Sequence, residues 1–96
     1  MNISWITAKI TESPIRFANF NQYSTELHIN FLHLKNYFAR AIAISDGILG
    51  QTIFDIYRRG DYVIIEGESL VIEDNLQNSI LIIYIMDIHP AHLIMK

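Results

Sequence analysis

Few residues of this chain are able to hold a charged or planar ligand: seven Lys and Arg, one Trp, five Tyr and five Phe. Cations track phosphates and aromatic faces stack bases, and each stacked base contributes about 1–3 kcal/mol. Trp5, Lys35 and Tyr37 bring the two chemistries near one another, on or beside the first and third apolar segments. Arg58-Arg59 offers a second cationic point, although such a pair also suits the end of a helix, where the dipole favours positive charge. Ten Asp and Glu outnumber the cations and leave a net charge of −3. That balance counts against generic polyanion binding, so such a role has to rest on local placement. Asp61, Glu66, Glu68, Glu73 and Asp74 gather acid around one segment and read as a solvated face.

Of the four histidines, His89 and His92 are spaced i,i+3 around Pro90, but there is no cysteine and no carboxylate at a ligand spacing, so no metal site is expected. His33 is a further ring able to stack. The chain has no glycine-rich phosphate loop, no nucleophile motif and no paired acids with a pocket signature, so neither catalysis nor a cofactor is expected.

The elements that must position these groups follow from periodicity. Residues Ile3 to Thr11 alternate, with Ile6, Ala8 and Ile10 on one face and Trp5, Thr7 and Lys9 on the other, a half-buried first strand. Glu12-Ser13-Pro14 breaks it, and Ile15 to Phe20 can continue as strand. Asn21 to Ser24 is polar and reads as a hairpin loop. Glu26 to Leu34 forms the second strand, with Leu27, Ile29 and Phe31 on one face and His28 and Asn30 on the other. After a short connection at Lys35-Asn36, Tyr37 to Ile44 forms the third. Periodicity does not choose between its face of Phe38, Arg40, Ile42 and Ile44 and its face of Tyr37 and alanines.

Ser45 or Asp46 then caps a helix whose stripe is Ile48, Leu49, Thr52, Ile53, Ile56 and Tyr57, with Arg58 and Arg59 in the last turn and Gly60 after it. Asp61 to Glu66 is a fourth strand, bent at Gly67 and continued by Leu70 to Ile72. A polar loop, Glu73 to Asn78, leads to a strongly apolar fifth strand from Ser79 to Ile88, ended by Pro90.

Three strands, a helix and two strands is the order of a five-stranded OB-fold barrel, an all-β architecture with one helix, and 96 residues make it one domain, 1–96. An open α+β sheet is the competing arrangement. The chain is 51% hydrophobic, yet its longest apolar run, Ile80 to Met86, is far short of the ~20 residues of a spanning helix. No membrane segment or signal peptide is expected. Strands Ile3–Ile10 and Ile80–Ile88 carry more apolar surface than one small barrel needs, which predicts a homo-oligomer, dimer or tetramer.

Several segments resemble the single-stranded DNA-binding (SSB) family. Ala8-Lys9-Ile10-Thr11-Glu12-Ser13-Pro14 with Arg16 and Phe17 is similar to its first-strand pattern, Ser13 replacing the usual Asp. Phe38-Ala39-Arg40 resembles its third-strand opening, and Ile56 to Gly67 its helix end, basic pair, Gly, short strand and Glu-Gly. The resemblance spans nearly the whole chain. It implies an OB-fold that binds single-stranded DNA without strong sequence preference in DNA replication or maintenance, with contacts on Lys9, Arg16, Phe17, Phe38 and Arg40 beside Trp5, Lys35 and Tyr37. Short plastid-encoded SSB-like proteins of algae are the nearest form, and the Ile- and Asn-rich composition, typical of AT-rich codons, fits the chloroplast stroma. The chain departs from the family in its short second loop, in the acids Glu73 and Asp74 where basic residues are usual, and in lacking an acidic tail. Those departures favour a second reading, a protein-interaction OB-fold accessory subunit that has lost most nucleic-acid contacts.

Overall fold

The computed structural model describes residues 3–19, 22–31, 40–73 and 79–91. Their elements are β1 (Ile3–Ile10), β2 (Ile15–Asn19), β3 (Gln22–Phe31), β4 (Arg40–Asp46), α1 (Gly47–Ile56), β5 (Tyr62–Glu73) and β6 (Ser79–Pro90). The sheet runs β1-β5-β6-β4-β3-β2, and β1 also pairs with β3, so five strands close on themselves. All pairings are antiparallel except β4 with β6. This is the expected closed barrel, and not the open α+β sheet. The expected break at Glu12-Ser13-Pro14 divides the first segment in two, because Pro14 has no ladder donor. Its second half, β2, lies on the outer edge of β3.

Alternation places the core correctly on β1 and β3. Ala8, Ile10, Leu27 and Ile29 are buried, as are Val63 and Ile65 of β5 and Ile83 and Ile85 of β6. On β4 the alanine face is the inner one, with Ala41, Ala43 and Ser45 buried and Arg40 outward and exposed. Small residues suit this position because α1 packs against β3 and β4 and drives Ile53, fully buried, into the barrel. Gly67 is buried at the register shift between Glu66 and Gly67, where a Cβ would lie 2.5 Å from the Tyr84 carbonyl oxygen. Only glycine lets β5 bend so closely over β6 there.

Five expectations are corrected. Tyr23 and Ser24 are not loop but the start of β3: Ser24 Oγ donates to Asp46 Oδ1 and buried Thr25 donates to the Gly50 carbonyl at 2.6 Å. Polar side chains satisfied by other elements can sit in a strand. That Ser24 bond also occupies Asp46, which makes no side-chain cap at the helix. The helix buries Gly50 and Ile53, with Tyr57 just beyond its end, while Ile48 is 88% and Ile56 62% exposed, because α1 touches the barrel along a narrow line. It ends at Ile56, so Arg58 and Arg59 lie past the last turn. Finally, Glu73 closes the β5–β6 ladder opposite Ser79 rather than opening a loop. The expected connection at Lys35-Asn36, the start of the third strand at Tyr37, the loop 74–78, His33 and His92 lie outside the described residues.

Candidate nucleic-acid interface

Lys9 of β1 stands opposite Asn30 of β3, which stands opposite Arg40 of β4. On its other side Lys9 registers with Tyr62 of β5. These four positions form one row across four strands on the outside of the barrel. Lys9 Nζ sits over the Tyr62 ring, 5.6 Å from its centroid, a cation–π contact that holds the ammonium at the surface.

Lys9, Asn30 and Arg40 of this row line two adjoining open clefts of about 460 and 440 Å³. Thr11 and Asn30 line both, so together they make one groove. Arg40, with Glu12, His28 and Ile42, lines the first; Lys9, Arg59 and Gly60 line the second. Arg59 is brought there by the turn after α1. Gly60 takes φ 94°, a value that favours glycine, and its N–H donates to the Ile10 carbonyl at 2.7 Å, docking the turn against the end of β1.

Charge pairing separates these cations from the rest. Among the described residues the ion pairs all involve histidine: His28 with Glu12 and Glu26, and His89 with Asp87. Among the described residues, therefore, no carboxylate pairs with Lys9, Arg40 or Arg59. Arg58, by contrast, donates to the Phe54 and Tyr57 carbonyls at 3.3 and 2.9 Å and serves the helix end. Arg16 donates to Thr25 Oγ1 at 3.2 Å and lies over the Tyr23 ring at 5.4 Å.

Of the sequence-expected contacts, Lys9 and Arg40 are thus brought together. Arg16 is not: it faces the same way as buried Thr25, beneath α1, on the opposite side of the sheet. Alternation puts Phe17 on the outer face, half-buried and opposite Ser24. Six residue steps along β3 separate that position from Asn30, about 20 Å. Trp5, 62% exposed, shares the outer face of β1 with Lys9 but lies about 13 Å away. It stands opposite Glu66, which stands opposite Asp87, while Ile3, Leu70, Ile72, Ile80, Tyr84 and Met86 are apolar residues exposed elsewhere on β1, β5 and β6. Lys35, Tyr37 and Phe38 lie outside the described residues. Asn30, Arg59 and Tyr62 were missed. The outward parity of Asn30 and Tyr62 was legible, but which residues they stand opposite was not.

No helix among the described residues is long and apolar enough to cross a membrane, and no three of their His, Asp and Glu side chains group as metal ligands would.

The barrel and its strand order define an OB-fold of the type found in SSB domains. No protein-family profile matches the sequence and no curated protein matches it significantly, whereas solved structures do. A small single-stranded DNA-binding protein from Streptomyces coelicolor superimposes with a TM-score of 0.80 at 11% identity, over 94% of this chain and 92% of that one. The SSB domain of a Synechococcus protein gives 0.76 at 22% identity, over 93% and 94%. The N-terminal domain of PriB from Thermoanaerobacter tencongensis, a dimeric structure, gives 0.72 at 15%, over 96% and 98%.

Proposed function

We propose that this chain is a non-enzymatic binder of single-stranded DNA, holding phosphates on Lys9, Arg40 and Arg59 in the groove across β1, β3 and β4. The observation that carries this reading is the convergence of three cations, none neutralised by a carboxylate among the described residues, on one open groove of an otherwise acidic protein. The groove lies where OB-folds receive oligonucleotides, across the face of their second and third strands. It gathers charge, an amide and ring faces, which is the chemistry of binding. The names of the structural neighbours support the same ligand. Lys35, Tyr37 and Phe38 fall in sequence between Asn30 and Arg40 and belong to the proposed contact set. Arg16 acts instead in holding β2 to β3. Trp5 and Phe17 stand too far along their strands to share a base with Lys9, and serve longer ligands. A role in replication or DNA maintenance would suit this activity, and a composition rich in residues with AT-rich codons supports a plastid as its setting.

The exposed apolar region of β1, β5 and β6 supports self-association as a dimer or tetramer. Leu70→Glu then yields a smaller species in sedimentation while the barrel stays folded, since Leu70 is half exposed. If that region instead docks a different protein, as in the accessory-subunit reading, the wild-type chain sediments as a monomer.

Titration of labelled oligo-dT at two salt concentrations tests the binding. Lys9, Arg40 and Arg59 alone give a slope of log K against log salt of roughly −2, and a phosphate on Lys35 steepens it by about 0.7. Absence of binding at about 50 mM salt and micromolar protein overturns the proposal.

A further inference from the structure

Resting on that reading, we propose that the Glu12–Asn30 wall of the groove selects bases carrying an exocyclic amine, guanine above all, over thymine. A carboxylate is out of place in a groove for polyanions, yet the backbone that carries this one is fixed there. The Thr11 N–H and Oγ1 both donate to the His28 carbonyl, at 2.9 and 3.1 Å, and pin the segment after β1 against β3. Glu12 is the next residue, and its Oε2 lies 3.9 Å from His28 Nδ1, too long for a hydrogen bond. His28 meets Glu26 instead, Nε2 to Oε2 at 3.1 Å. Among the described residues Glu12 therefore accepts no hydrogen bond, although it lines the same cleft as Asn30 and Arg40.

An ionised carboxylate only accepts, so it repels phosphate and is satisfied by N–H donors. With phosphates on Lys9 and Arg40, the part of a nucleotide left to face Glu12 is the base. Guanine presents N1–H and the N2 amine side by side, two donors for two carboxylate oxygens. Adenine and cytosine each present one amine. Thymine presents a single N3–H between two carbonyls, which the carboxylate repels. Asn30 supplies both a donor and an acceptor for the remaining base edge. The groove thus discriminates several-fold while still accepting most sequences.

The test uses the full chain at pH ~8, where histidine is ordinarily neutral. Fluorescence anisotropy compares a short labelled oligo-dT with the same strand carrying one central guanine, or one hypoxanthine, which lacks the N2 amine. The guanine strand binds about fivefold tighter than oligo-dT, and hypoxanthine loses most of that gain. Glu12→Gln, at a side chain 63% exposed and so safe for folding, removes the preference and strengthens oligo-dT binding. Equal affinities for the three strands overturn the inference and leave single-strand binding intact. So does a Glu12→Gln variant that strengthens all three by one factor, since the carboxylate then only repels phosphate. Failure of every strand to bind at low salt overturns the functional reading itself, and this inference with it.

Discussion

Lys9 and Arg40 stand on either side of Asn30, each one strand away from it. Two strand spacings put their backbones about 10 Å apart, on separate elements that share one outward face. The chain separates them by a stretch that includes all of β2 and β3, and only closure of the barrel makes them neighbours. Each belongs to the proposed phosphate track, so each single substitution to Ala lowers the magnitude of the salt slope by about 0.7, the increment for one phosphate on a single strand. Arg16→Ala leaves the slope unchanged and costs about 1 kcal/mol of stability, because Arg16 bonds Thr25 and not the groove. Titrations of the three variants at a series of salt concentrations, with urea unfolding, check both halves.

The helix contributes through one side chain. Ile53 is fully buried and Ile48 is 88% exposed. Ile53→Ala therefore destabilises by about 2–4 kcal/mol, whereas Ile48→Ala changes stability by less than about 0.5 kcal/mol. Chemical denaturation of both variants gives the comparison, and similar losses for the two contradict the packing described above.

Gly67 carries the bend of β5 over β6. An added Cβ meets the Tyr84 carbonyl oxygen at 2.5 Å and Ile83 Cγ2 at 2.8 Å. The first contact is backbone and cannot rotate away. Gly67→Ala accordingly costs about 1–3 kcal/mol, read as a lower urea midpoint.

Tyr57 gives the fold an alkaline limit. Burial pushes its hydroxyl above the ordinary value of 10.0, and the Asp61 and Asp87 carboxylates add to the shift. Between the unfolded and folded values the native state keeps a proton that the unfolded chain has lost. Stability from this group is thus fully present below pH 10 and declines as pH rises through the raised folded value. Unfolding across that range shows a steeper alkaline loss for the wild type than for Tyr57→Phe.

The strand order, the outward parity of Lys9 and the bend at Gly67 were all legible in the sequence, because alternation and glycine report local geometry directly. Where local signals compete with distant partners the reading failed. Ser24 resembles a loop residue until Asp46 arrives to bond it. Arg16 sits in a family-like pattern and still turns inward, because β2 pairs with β3 in a register that aims it at Thr25. On β4 both faces were acceptable to periodicity, and the helix chose the smaller one.

By itself, then, the sequence determined a β-rich chain with one helix, since a period of two or of 3.6 and the turn residues between are properties of short segments. Tertiary structure alone decided which cations meet. Lys9, Arg40 and Arg59 come from three separate stretches, and their grouping depends on cross-strand register and the docking of one turn. Those are set by how the barrel closes its backbone hydrogen bonds, a condition on the whole chain that no window of residues contains.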